Sequence, residues 1–182
     1  MRKIAIILLA AVSFSVGAFD VYGFRFEKTE ITWSLKSRVT RRVRKEIDAA
    51  FRDWTEASGL TFVEADSGAD VEVDFGMTGG VANGILASTT ISVSGDNRIT
   101  SSSIWINGRD YKWFGRRGYS LRSVLSHEIG HAIGLDHSDV RSSLMYQYFY
   151  WGEVRTLGPD DLAGVAFLYG DLLAPKTVSD QF

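Results

Sequence analysis

The chain has 182 residues, 45% apolar and 23% charged, with a formal net charge of −2 and no cysteine. That length and balance suit one globular domain with a sizeable core and call for no second one. The absence of cysteine excludes disulfides, thiolate metal ligands and a lipid-modified cysteine. In chain order, Met1-Arg2-Lys3, the apolar run Ile4 to Val16 and the small residues Val16-Gly17-Ala18 read as a secretory signal peptide over residues 1–18. The run is short for a membrane span, so the expectation is a secreted protein, extracellular or periplasmic, with no membrane contact after cleavage. Cleavage would remove Arg2 and Lys3 and no acid, leaving a mildly acidic domain.

Thr29 to Leu35 alternates apolar with polar residues and predicts a strand. Val39, Val43, Ile47, Phe51 and Trp54 then recur at helical spacing, predicting a helix from about Val39 to Glu56 that ends at Gly59. Arg38, Arg41, Arg42, Arg44 and Lys45 fall between them and form a solvated helix face rather than a nucleic-acid surface. Leu60 to Val63, Val71 to Phe75, Ile85 to Val93 and Ile99 to Ile106 continue as strands between Gly and Asp/Asn turns, giving an α+β domain with a twisted sheet of about five strands and three helices.

A second helix starts at Ser120, a fitting N-cap, carries Leu121, Val124 and Leu125, and stops at Gly134. The third opens at Gly158-Pro159-Asp160-Asp161, where proline suits the first helical position and the acids suit the positive end of the helix dipole. Leu162, Val165, Ala166 and Tyr169 give it a buried stripe. Beyond Gly170 the periodicity lapses, and residues 172–182 read as a docked or disordered tail after a domain spanning 19–171.

All the histidines of the chain lie in the run His127-Glu128-Ile129-Gly130-His131-Ala132-Ile133-Gly134-Leu135-Asp136-His137-Ser138. Four apart on a helix, His127 and His131 project from one face onto one ion. Gly134 lets the backbone leave the helix left-handed and bring His137 round as a third nitrogen ligand. Three neutral nitrogens with no thiolate leave one tetrahedral position open, which favours a catalytic zinc; iron, copper or nickel are not separated from it by ligand identity alone. Glu128, beside the ion, is the candidate base.

Together these residues resemble the zinc motif HExxHxxGxxH of the metzincin metallopeptidases, and Ser138 after the third histidine resembles the matrixins, the matrix-metalloproteinase-like group. Ser143-Leu144-Met145-Tyr146 is similar to that family's Met-turn. Leu157-Gly158-Pro159-Asp160-Asp161-Leu162 with Leu168-Tyr169-Gly170 resembles its closing helix, and Phe26-Glu27-Lys28, Ile31-Thr32-Trp33 and Ala50-Phe51-Arg52-Asp53-Trp54 resemble its opening strand and helix. The resemblance covers residues 24 to 170 and implies a metzincin catalytic domain alone, with a zinc cleft between upper and lower subdomains. It implies a monomeric zinc endopeptidase acting on proteins or peptides, with Glu128 as general base and Met145 packed beneath the histidines. Leu86 and Ala87 would lie on the strand that aligns substrate, and Gln147, Tyr148 and Phe149 would stand where the family has its pocket wall.

Departures from the family pattern sharpen the expectation. No histidines remain for the family's structural second zinc, and Ser88 stands where one of them would follow Leu86-Ala87. No cysteine is available to hold the zinc latent, so the protein is expected to emerge active. Asp70 and the Gly95-Asp96-Asn97 turn offer oxygens to a calcium ion, but neighbouring acids are missing, and a surface acid and an ordinary turn are the simpler reading. If cleavage follows Ala18, the resemblance implies that the ammonium of Phe19 pairs with Asp160 or Asp161. Two other functions use the same motif: a non-catalytic zinc-containing binding module, which would need neither Glu128 nor an open position, and a zinc amide hydrolase on a small substrate. The strand at Leu86-Ala87 and the aromatic wall suit an extended peptide better than either.

Overall fold

The computed structural model describes residues 19–76 and 85–174 and, at 2–3 and 14–16, the strand backbone alone. The expected signal peptide therefore lies largely outside the described residues, as does the tail at 175–182. Two short segments, β1 (Arg2–Lys3) and β2 (Phe14–Val16), precede β3 (Phe19–Val21), which pairs antiparallel with β2.

The domain is built on a five-stranded sheet of β4 (Glu30–Leu35), β5 (Thr61–Glu64), β6 (Val71–Gly76), β7 (Ala87–Val93) and β8 (Ile99–Asn107), in the order β5-β4-β6-β8-β7. β4 is parallel to both β5 and β6, and β6 is parallel to β8. Only β7 runs antiparallel, because the turn around Asn97, which adopts φ 62°, folds β8 directly back along it. That hairpin leaves β7 on the edge.

The parallel strands β4 and β5 require a crossover, and α1 (Arg41–Ser58) supplies it. Thr40 caps this helix, its hydroxyl accepting from Val43 N at 3.3 Å, and Gly59 ends it at φ 80°. The buried residues Val43, Ile47, Ala50, Phe51 and Trp54 form its inner face, and the Phe51 ring stacks on Trp33 of β4 with centroids 4.2 Å apart. Burial of one such aromatic is worth roughly 1.5–3 kcal/mol, and packing of this apolar face supplies most of the helix's stability.

Beside α1, over β7 and β8, lies α2 (Leu121–Ala132), buried along nearly its whole length. Trp54 Nε1 donates to Ser126 O (2.9 Å) from one side and Ser102 Oγ of β8 donates to Ala132 O (2.9 Å) from the other. The short β9 (Tyr148–Phe149), paired with β1, precedes α3 (Pro159–Leu173).

α3 departs from the sequence expectation in two respects. Its buried face is Asp161, Gly164, Val165, Leu168 and Tyr169, so Leu168 turns inward where Ala166 was expected, and Ala166 is exposed. It also continues past Gly170 to Leu173. Tertiary contacts account for the extension: Arg25 forms a bidentate ion pair with Asp171, and Leu173 packs over Gly59 at the end of α1. Tyr169 ties the helix to the core, its hydroxyl donating to Ile133 O (2.9 Å) and accepting from Phe26 N (3.1 Å).

Candidate functional site

Ser120 starts the site-bearing helix, its hydroxyl accepting from Ser123 N at 3.2 Å. Helical spacing then puts His127 and His131 on one face with Glu128 beside them, and all three are fully buried. The helix closes when the N–H groups of Gly134 and Leu135 donate to His131 O (2.9 Å) and Gly130 O (3.0 Å). Gly134 turns the chain at φ 105°, where a Cβ atom would stand 2.2 Å from Phe24 O. The N-terminal segment clamps this turn, with Tyr22 N donating to Gly134 O (3.0 Å) and Asp136 N to Asp20 O (2.9 Å). Beyond the turn His137 returns to the other two, so that one ring nitrogen from each histidine lies within 4.8 Å of the others.

Donor chemistry supports a metal ion at this point. His127 Nδ1 meets Leu144 O at 2.8 Å and His131 Nδ1 meets Leu135 O at 2.8 Å. A carbonyl only accepts, so each Nδ1 carries the proton and each Nε2 presents a lone pair. Burial keeps both rings from charging, holding them well below the ordinary histidine range. The two Nε2 atoms nevertheless stand 2.9 Å apart, and His137 Nε2 is buried without a hydrogen-bond partner. Two facing lone pairs with no proton between them repel; a cation among the three nitrogens removes the repulsion and satisfies the orphan.

Glu128 is held by a residue that sequence reasoning did not single out. Thr89 Oγ1, on the edge strand β7, donates to Glu128 Oε2 at 2.6 Å, while Glu128 Oε1 is buried without a partner. Burial pushes the carboxyl up to about 8, opposed by the Thr89 bond. Tyr22 was likewise missed: its hydroxyl lies 3.2 Å from His131 Nδ1, and burial, followed by the charge and hydrogen bond of Asp136, keeps it neutral. Both come from segments distant in sequence, and neither belongs to a motif.

Met145 lies beneath the helix, its Sδ 2.4 Å from where a Cβ on Gly130 would stand, so glycine at position 130 lets the thioether pack directly against the helix that carries His127 and His131. Asp161 holds the turn that carries Met145. Its carboxylate accepts from Leu144 N (3.0 Å), Met145 N (3.0 Å), Gly158 N (2.8 Å) and the Ser143 hydroxyl. It is therefore bonded to the chain's own amides. Asp160 accepts from Ser138 Oγ at 2.7 Å, and the Phe19 ring packs on Phe167, with centroids 5.9 Å apart.

Of the expected wall residues, Phe149 is buried with its ring edge-on to His127 (centroids 5.5 Å), whereas Gln147 and Tyr148 are half-buried. Behind Phe149 stands Arg155, a third residue missed from sequence and only 7% exposed. Its guanidinium lies 4.2 Å from the Phe149 ring centroid, donates to Tyr146 O (2.7 Å) and Tyr148 O, and pairs with Glu153 at 2.8 Å. A buried cation bonded to the wall's own carbonyls fixes the wall's position relative to His127.

Leu86 and Ala87 are fully buried, so the strand at this point can offer substrate its backbone and not these side chains. Ser88 is also buried. Of the candidate calcium oxygens, those of the two carboxylates are engaged locally. Asp70 Oδ2 accepts from Thr32 N and Thr32 Oγ1 (2.7 Å each) and pairs with Lys28 (2.7 Å), while Asp96 pairs with Arg98 (2.8 Å) and accepts from Ser94 Oγ.

A family model described as Matrixin matches residues 25–170. The chain is 36% identical over 168 residues to the hatching enzyme of Paracentrotus lividus, covering 80% of this chain and 27% of that protein. It is 30% identical over 167 residues to stromelysin-3 of Homo sapiens (84% and 33%). Against interstitial collagenase of Equus caballus the identity is 30% over 164 residues (80% and 33%). The chain thus spans about a third or less of the length of these relatives.

Proposed function

The chain belongs to the matrixin family, and from that premise we propose that it is a secreted zinc-dependent metalloendopeptidase with His127, His131 and His137 as ligands and Glu128 as general base. The observation that carries the reading is the convergence of three neutral ring nitrogens beside a buried carboxylate with one free oxygen. Zinc bound there would polarise a scissile carbonyl and make an attacking water more acidic.

What the chain's own residues contribute is orientation and proton transfer. Leu144 O and Leu135 O fix the two helical imidazoles, so their Nε2 lone pairs are held toward the ion without rotamer loss on binding. Glu128 Oε1 takes the proton of the attacking water and passes it to the leaving amine nitrogen, while Oε2 stays on Thr89. β7, paired among the described residues with β8 alone, leaves its other edge for an extended substrate backbone. Phe149 and Tyr148 give the adjoining pocket an apolar wall. The signal-peptide pattern of residues 1–18 supports secretion, and no helix among the described residues is long and apolar enough to cross a membrane.

Digestion of casein or gelatin tests the proposal: activity is expected, abolished by a chelator and restored by zinc. Activity indifferent to the chelator, or none with one zinc bound per chain, would reject it. Thr89→Val should keep zinc and lower kcat about 10-fold with KM little changed, because the hydroxyl anchors the base rather than the substrate. A variant of unchanged kcat would remove Thr89 from the machinery.

A further inference from the structure

The segment Arg109-Asp110-Tyr111-Lys112-Trp113-Phe114-Gly115-Arg116-Arg117-Gly118 joins β8 to α2 and concentrates positive charge in a chain whose net formal charge is −2. It is an organised loop. Trp113 is buried and its Nε1 donates to Asn107 O (2.8 Å), Tyr119 N donates to Lys112 O (2.8 Å), and Gly118 is so enclosed that a Cβ would meet Phe114 O at 2.6 Å. The loop is also joined to the segment that follows the pocket wall, since Gly152 N donates to Gly118 O at 2.9 Å.

Between the two segments lies a cavity of about 390 Å³ lined by Asp110, Tyr111, Lys112, Arg117, Tyr119 and Trp151. Its chemistry is that of a recognition site. Tyr111 and Tyr119 meet edge-to-face with centroids 5.9 Å apart, and Trp151, only two residues beyond Phe149, is 65% exposed. An exposed tryptophan beside a cavity is the kind of anchor that binding surfaces use. Lys112 and Arg117 are exposed and matched with no carboxylate among the described residues, whereas Asp110 is engaged by Asn107 Nδ2 (3.1 Å) and lies 3.8 Å from Arg109. The unmatched charge is therefore positive and calls for an anionic occupant.

We propose that this cavity is a secondary substrate-binding site that takes an acidic stretch of the protein substrate lying outside the bond cleaved. The inference rests on the peptidase reading. A substrate stretch is favoured over a free polyanion because the cavity is joined through Gly152 and Trp151 to the segment that carries Phe149, the wall residue beside His127. The aromatic rings would cover the backbone and methylene groups of the bound stretch, and Lys112 and Arg117 would meet its carboxylates.

The zinc-loaded protein can be tested on two fluorogenic peptides with one cleavage sequence, extended on both sides by glutamates in one and glutamines in the other. The acidic peptide is expected to have a kcat/KM about 5- to 10-fold higher, through KM, an advantage that disappears at high salt. Lys112→Gln/Arg117→Gln, and separately Trp151→Ala, should bring the ratio of the two peptides near one. A ratio near one in the unsubstituted protein, a ratio insensitive to these substitutions, or an equal loss on both peptides would overturn the proposal.

Binding of the glutamate extension alone, followed by tryptophan fluorescence, separates this result from failure of the peptidase reading. The extension is expected to bind, and to bind at least 5-fold more weakly to Lys112→Gln/Arg117→Gln, whether or not any peptide is cleaved. Absence of binding, or tighter binding of a sulfated polysaccharide or DNA than of the acidic peptide at this site, would reject it.

Discussion

Glu128→Gln is expected to lower kcat by about 10² to 10⁴-fold while zinc is retained, the range over which a positioned general acid-base contributes. The substitution tests the proton-transfer role with little other disturbance. The amide occupies the same volume in a fully buried position, and its oxygen can still accept from Thr89 Oγ1, which meets Oε2 at 2.6 Å in the unsubstituted protein. It removes only the ability of the free position, now Oε1, to take up a proton. Metal content by atomic emission, thermal melting and steady-state kinetics should therefore separate cleanly, with the first two preserved and kcat lost. Near-normal turnover with full zinc occupancy would exclude Glu128 as the base. Loss of zinc together with turnover would place it among the groups that hold the site's shape.

Gly134→Ala should destabilise the protein by at least about 3 kcal/mol and weaken zinc binding, the largest structural effect expected of any single methyl group here. Two penalties combine. The backbone sits at φ 105°, outside the range an L-residue adopts comfortably, and the new Cβ would lie 2.2 Å from Phe24 O, a backbone atom that cannot rotate away. Because the strand-like segment from Asp20 to Phe24 is bonded to residues 134 and 136, relief of the clash must separate the turn from its clamp, and His137 moves with it. Gly68 serves as the control, since its φ of 64° is also positive but nothing lies within 4 Å of its Cβ position. Gly68→Ala should cost only the backbone term, about 1 kcal/mol, with zinc unaffected. Equal denaturation midpoints for the two variants would mean that the enclosure of Gly134 contributes nothing.

Some of the molecule was readable in the linear chain because its signals are local. Apolar alternation located the strands of the main sheet, helical spacing and the caps Thr40 and Ser120 located the first two helices, and the spacing of His127, His131 and His137 around Gly134 put three ring nitrogens together. Each depends on the period of a helix or strand, or on a turn that only glycine makes, and those periods are written in consecutive residues.

Tertiary structure alone decided the rest. Nothing near Thr89 in sequence marks it as the partner of Glu128; the two meet because a hairpin puts β7 on the sheet edge against α2. Arg155 reads as one more charged loop residue, yet the fold buries it behind Phe149, where its guanidinium donates to the carbonyls of Tyr146 and Tyr148. Asp161 matched the expectation for a helix N-terminus, where either dipole or ammonium would do, and the fold gave it the amides of the turn bearing Met145. The length of α3 past Gly170 was likewise set by Arg25 and Gly59, far away in the chain. The division follows from the physics: backbone periodicity and glycine conformation act over a few residues, whereas the partner of a buried polar group is chosen by whichever distant segment the packing brings within hydrogen-bond reach.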